Sequence, residues 1–302
     1  MVRFFYIYKK KELIRLLKIL IRSALWLFCS DIHINNKHLL KQEGPLLIIA
    51  NHPNSFLDAI IIGAQYKRRI YFLARGDAFT KKHHRFLLGL LNMIPVYRLR
   101  EGKQFLHLNE YAFNKSIDLL NKGEAVLIFI EGTCINSHEL QPFKKGTTRI
   151  LEGIQKLGVF PIIHITGIAY NQLRGIGKKV NLSFSLMNFN KQIITPKDRV
   201  DFNKTAFELL KNNIHPSKLP TIIKKTPLYY LHLPYYQFLE NWVHKKTKDT
   251  VFYDSVLFSF LLFSYPVFLL LIFCILYLIS IPLPIIFGTL LCIPLLSKYC
   301  IV

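Results

Sequence analysis

The chain has 302 residues, 51% of them hydrophobic, and 40 Lys and Arg against 18 Asp and Glu give a formal net charge of +22. A composition both greasy (mean hydropathy +0.27) and basic suits an anionic membrane surface or an acidic substrate. Nucleic acid would suit the charge, but no basic stretch carries a helix-turn-helix, zinc-finger or RNP-like aromatic pattern, so no nucleic-acid partner is expected. The five cysteines (29, 134, 274, 292 and 300) are odd in number and lack paired spacing. Neither a disulfide framework nor a metal site is therefore expected, and a reducing compartment is.

The N-terminal stretch 9–28, KKKELIRLLKILIRSALWLF, places Lys11, Arg15, Lys18 and Arg22 at helical spacing on one face, with Leu, Ile and Trp26 filling the rest. Charges interrupt the apolar run, and no small-residue cleavage site follows it. The reading is an amphipathic helix lying in a lipid interface, not a clean span or a removable signal. The alternative is a helix packed on a soluble core with a solvated basic stripe.

From 45 to about 215, short apolar runs alternate with helical patterns. Strands are expected at 46–50, 70–74, 94–97, 125–130, 161–170 and 180–186, and helices at 55–66, 81–92, 107–122, 147–157 and 202–213. The alternation predicts an α/β fold, a mostly parallel sheet flanked by helices, with its site where strands end and helices begin. Residues 214–250 read as a proline-punctuated basic connector. Residues 255–297 then run without one charged side chain, long enough for two passes of ~20 residues. SIPLP (280–284) supplies a turn. Lys245, Lys246 and Lys248 before the run and Lys298 after it favour a hairpin with both flanks on the cytoplasmic side. The second arm, 285–297, is short for a full crossing, which leaves a re-entrant arm open.

The stretch IIANHPNSFLDAIII (48–62) sets His52 and Asp58 six positions apart. On one regular helix that spacing turns them roughly 120° away from each other. Pro53 breaks the run, so His52 belongs to a turn and Asp58 to the first turn of a helix with Ser55 as N-cap. The chain can then fold one side chain onto the other. Two readings stand: an acid/base pair, or a capping box between Ser55 and Asp58 with His52 satisfying a backbone group. Arg75 and Arg98 each end a strand, and Glu131 and Gly132 end another with basic residues soon after. Such strand ends suit a phosphorylated hydroxyl compound, because guanidinium matches phosphate oxygens in bidentate fashion.

The ordered set NHPNSFLD, IPVYR, FIEGT and VFPIIHITG, across roughly residues 45–190, resembles the four blocks of the glycerophospholipid acyltransferase family. Its members include lysophosphatidate and glycerol-3-phosphate acyltransferases. The resemblance implies His52 as general base, oriented by Asp58, and Arg98, Glu131, Gly132 and Thr133 in binding the glycerol-phosphate acceptor. Arg75 is a looser match to a basic position of the family. Two departures stand out: five residues, not four, separate the histidine from the aspartate, and Cys134 occupies the place of the usual arginine. Lys144 or Lys145 is the candidate replacement for that charge. A covalent role for Cys134 is the sharper alternative.

The implied reaction is acyl transfer from acyl-CoA or acyl carrier protein to a hydroxyl of lysophosphatidate or glycerol-3-phosphate, with no bound cofactor and no metal. The rivals are an acyltransferase for a lysolipid lacking phosphate, and an inactive membrane lipid-binding protein. The expected organisation is an interfacial helix at 1–30, the acyltransferase α/β domain at 31–215, the connector at 216–254 and a membrane hairpin at 255–297. The lipid bilayer is the expected partner, with the catalytic domain on its cytoplasmic face.

Overall fold

The computed structural model describes residues 2–98, 102, 104, 107–189, 191–247 and 250–300. Helix α1 (Val2–Phe28) runs directly into β1 (Cys29–Asn35). Then follow β2 (Leu46–Ala50), α2 (Ser55–Gln65), β3 (Ile70–Arg75), α3 (Lys82–Leu90), β4 (Met93–Val96) and α4 (Leu108–Asn121). The α/β part closes with β5 (Ala125–Phe129), α5 (Gly146–Gln155), β6 (Ile162–Tyr170), β7 (Lys178–Leu186) and α6 (Pro196–Asn213). The strands form one sheet in the order β1-β7-β6-β2-β5-β3-β4. Every neighbouring pair is parallel except β6 and β7, as the alternation of strands and helices predicts.

β2 is central, and all five of its residues are buried. Its side chains alternate, as a pleated strand requires. Leu46, Ile48 and Ala50 join Leu25 and Phe28 of α1 and Leu57 and Ile61 of α2 on one face. Leu47 and Ile49 join residues of α4, α5 and α6 on the other. A strand covered on both faces reads as an unbroken apolar run, which is why LLIIA is legible.

Three elements differ from expectation. β1 adds an edge strand parallel to β7 that its polar sequence, CSDIHIN, conceals. α6 starts six residues before 202, because Thr195 and Asp198 form a capping box with proline in the first turn, a start signal present in TPKD. Within 216–254 the chain forms α7 (Pro227–Thr247), a 21-residue helix that tolerates Pro234 inside it.

The basic face of α1 is turned onto the protein. Lys18 Nζ donates to the carbonyls of Tyr66 and Arg68 at 3.0 and 2.8 Å, and Arg22 Nε donates to that of Ala64 at 2.7 Å. Together they satisfy carbonyls at the C-terminal end of α2, which no following turn can reach. Burial, then the charge of Arg22, lowers the Lys18 pKa to about 8. Leu16, Ile19, Leu20 and Trp26 are exposed, beside exposed Glu12, Arg15, Arg22 and Ser23. Lys18 and Arg22 of the basic stripe are thus engaged with the end of α2, and the exposed surface of the helix mixes apolar and charged side chains. Arg15 remains exposed, while the Lys11 side chain and Lys248 lie outside the described residues.

The uncharged run folds as α8 (Tyr253–Leu278) and α9 (Leu283–Ser297), joined by a short turn. α8 is long and apolar enough to cross a membrane. α9, about 22 Å long at 1.5 Å per residue, falls short of a ~30 Å hydrocarbon core. Both ends of the pair are fastened to the α/β body. The first turn of α8 is buried, and beyond α9 the Lys298 ammonium donates to the carbonyls of Trp26, Cys29 and Ser30.

Candidate active site

β2 and β5 run side by side with Ala50 opposite Phe129, and Ile130 N–H extends the ladder to the Ala50 carbonyl at 3.1 Å. The residues leaving each strand therefore emerge together: Asn51 and His52 from β2, Glu131 and Gly132 from β5. Asn51 fixes the end of β2 by exchanging two hydrogen bonds with the Ile168 backbone of β6, at 2.9 and 2.8 Å.

His52 and Asp58 meet. His52 Nδ1 lies 2.9 Å from Asp58 Oδ2. Asp58 is fully buried, while the His52 side chain keeps 19% of its surface exposed. The imidazole lies flat on Phe129, ring centres 3.8 Å apart and planes within 9°. Asp58 also accepts from Asn54 N–H at 2.8 Å and from the Tyr170 hydroxyl at 2.6 Å. An ionised carboxylate in an apolar interior needs such donors. Because Nδ1–H is held by the carboxylate, Nε2 is the basic nitrogen of the ring.

The two readings of the sequence are therefore not exclusive, since Asp58 both takes a backbone N–H at the start of α2 and holds the imidazole. The N-cap, however, is Asn54 and not Ser55. Ser55 has φ +50°, in the left-handed region that costs a residue with a Cβ roughly 1–2 kcal/mol. Neighbours hold this bend. Cys134 Sγ accepts from Ser55 N–H at 2.9 Å, and the Asn136 amide donates to the Pro53 carbonyl at 3.0 Å.

That contact explains the cysteine at the usual arginine position: it caps an otherwise orphaned amide of α2. Burial, then the charge of Asp58, pushes the Cys134 thiol up to about 12. That shift favours the thiol over the thiolate, the nucleophilic form, and so speaks against the covalent reading.

Glu131 is buried and accepts from His52 N–H at 3.4 Å. Burial raises its pKa to about 7, opposed by the backbone N–H groups of His52 and Gln141. With the folded pKa above the ordinary 4.5, its contribution to stability is complete below pH 4.5 and is lost as pH rises through 7. The Glu131→Gln protein is thus expected to gain thermal stability relative to wild type between pH 5 and pH 8. A gap that stays constant in melts at the two pH values would contradict this burial.

Gly132 sits at φ +64°, and a Cβ there would come within 2.8 Å of Lys144 Cγ. Glycine is required on both counts. The same closeness packs the stem of exposed Lys144 against Gly132. Lys145 is the N-cap of α5, and Thr133 is half-buried in the turn.

Arg75 is paired with Asp77, its Nε 3.1 Å from Oδ1, and its guanidinium lies 4.9 Å above the Phe252 ring. Its charge acts on Cys134, which places it near the His52 turn. Arg98 follows β4, the outer strand beside β3. His138 and Tyr170 were not singled out from sequence. His138 Nε2 accepts from Tyr170 N–H at 3.0 Å, and burial lowers its pKa, so the ring is neutral and serves as a brace. For Tyr170 the available signal was an aromatic hydroxyl at the end of an otherwise apolar strand.

The Acyltransferase family model matches residues 31–165. Over 145 residues the chain is 29% identical to "1-acyl-sn-glycerol-3-phosphate acyltransferase BAT2, chloroplastic" of Brassica napus, covering 47% of this chain and 36% of that protein. Over 139 residues it is 26% identical to the "Lyso-ornithine lipid O-acyltransferase" of Brucella abortus, covering 45% of this chain and 49% of that protein. The chain thus spans less than half the length of either curated relative. The crystal structure of the 1-acyl-sn-glycerophosphate acyltransferase PlsC from Thermotoga maritima superposes with a TM-score of 0.49 at 17% identity, covering 68% of this chain and 80% of that one. The stretch that matches the Acyltransferase family model, 31–165, holds His52, Asp58, Phe129, Glu131 and Cys134.

Proposed function

We propose that the chain transfers a fatty acyl group from a thioester, acyl-CoA or acyl carrier protein, to a hydroxyl of lysophosphatidate or glycerol-3-phosphate. The observation that carries this reading is the 2.9 Å contact between partly exposed His52 and fully buried Asp58 inside the stretch that matches the Acyltransferase family model. An alcohol is a poor nucleophile near neutral pH. His52 Nε2 takes its proton as the oxygen attacks the thioester carbonyl; the C–O bond forms, the C–S bond breaks, and the proton passes to the departing thiolate. Asp58 fixes the ring and stabilises the imidazolium, as in Ser-His-Asp triads, with the substrate hydroxyl in place of serine. Arg98, Lys144 and Lys145 are the cations assigned to the acceptor phosphate, with Arg75 as a nearby charge. Glu131, Gly132 and Thr133 shape the turn beneath it.

The apolar surfaces of α1 and α8 fit a protein docked on a bilayer from its cytoplasmic face, where acyl chains and lysolipids reside. The Brucella relative favours a second reading, an acceptor built on an amino acid and lacking phosphate. Thiol release by the purified protein, offered acyl-CoA or acyl carrier protein with each acceptor in turn, tests both. Glycerol-3-phosphate or lysophosphatidate is expected to drive release, and Arg98→Ala to raise the KM for that acceptor. Turnover on lyso-ornithine lipid alone, unaffected by Arg98→Ala, would transfer the assignment to the second reading. Release with none of them would sink the proposal.

A further inference from the structure

The helix that carries Asp58 is not capped by its own N-cap side chain. Asn54 directs its amide elsewhere: Nδ2 donates to Asp254 Oδ2 at 2.7 Å and to the Leu173 carbonyl at 3.1 Å. Leu57 N–H, another amide at the open end of α2, donates to Ser255 Oγ at 3.0 Å. Asp254 and Ser255 stand in the first turn of α8, about 200 positions away in sequence. Asp254 is 1% exposed and pairs with Lys178 Nζ at 2.7 Å, a residue with no exposed side-chain surface. Its Oδ1 also accepts from Gly175 N–H at 2.8 Å, and Lys178 donates to the Gln172 carbonyl at 3.0 Å.

A buried ion pair is weak as a source of stability, because desolvating two charges offsets their attraction. What this pair does provide is a carboxylate of fixed orientation aimed at Asn54. From there the chain of contacts is short. Asp254 holds the Asn54 side chain, Asn54 N–H holds Asp58 Oδ2, and the same oxygen holds His52 Nδ1.

We infer that the start of the apolar helix α8 is a positioning element for the acid/base pair: Asp254, oriented by Lys178, and Ser255 fix the 54–58 backbone from which Asp58 reaches His52. The inference rests on the proposed acyl transfer and assigns it a dependence on a segment outside the matched domain. Neither Asp254 nor Ser255 touches the reacting atoms. They act through Asn54 and α2, so their loss slows the chemical step and leaves acceptor binding intact.

Two full-length double variants separate this from a merely structural role. Asp254→Asn with Lys178→Met removes both charges but keeps an oxygen acceptor for Asn54. Asp254→Leu with Lys178→Met removes the charges and the acceptor together. The first is expected to lose only a few-fold in kcat, since its amide oxygen still serves Asn54, and the second roughly 10- to 100-fold, with KM for the acceptor unchanged in both. Hydrogen exchange across 53–58, read on the same samples, is expected to quicken only in the second. Wild-type kcat and unaltered exchange in the leucine variant would overturn the inference, as would equal losses in both variants. Should the wild-type protein show no transfer at all, the proposed function fails, while the exchange comparison still decides the positioning role.

Discussion

Replacing His52 with Ala is expected to abolish thioester-dependent acyl transfer while the protein folds and binds vesicles as before. A positioned general base is worth about 10²- to 10⁴-fold, and His52 supplies the one basic nitrogen that Asp58 orients. The side chain lies on Phe129 at the surface of a turn, not inside either core cluster. Its removal leaves both core clusters intact, so circular dichroism should match wild type, with the melt lowered only by the about 1–3 kcal/mol that a lost partner of buried Asp58 costs. Near-normal turnover of purified, folded His52→Ala protein would mean that the proton leaves by another route and that the assignment is wrong.

The Asp58→Asn protein is expected to lose as much or more, for a different reason. The carboxylate serves three donors at once: the His52 ring, Asn54 N–H and the Tyr170 hydroxyl. An amide presents one acceptor oxygen and two N–H donors, so at least one of those partners faces a donor. The corresponding change in Ser-His-Asp triads leaves the geometry intact yet drops kcat by ~10⁴, because the imidazole adopts the wrong tautomer. A loss of that order in kcat, with KM little altered, is the expected result here. Tyr170→Phe provides the graded control, removing one donor to Asp58 and leaving the His52 contact. A smaller fall in kcat should follow. If Tyr170→Phe proved the more damaging of the two, the carboxylate would not be the group orienting His52.

Much of this was legible because it is local. LLIIA and AVLIF announce buried parallel strands, and Pro53 marks a bend after His52; parallel neighbours then bring the ends of β2 and β5 together. The meeting of His52 with Asp58 needs only the five residues between them. Tyr170, Lys178 and Asp254 escape a reading of spacing because each reaches the site from 112 or more positions away, and their types alone announce nothing. The same limit applies to α1: spacing shows a basic stripe, but not that Lys18 and Arg22 reach the carbonyls of Ala64, Tyr66 and Arg68. Prolines concealed α7, since Pro234 sits inside the helix it was expected to interrupt.

The anchoring of the α8–α9 pair has a topological consequence. One arm departs from the Asn54 turn and the other is clamped by Lys298 to the last carbonyls of α1, so the loop they make dips and comes back on a single side. The apolar pair is thus a closed excursion that leaves the α/β body and returns to it, and both of its roots are part of the folded core and not a free tether.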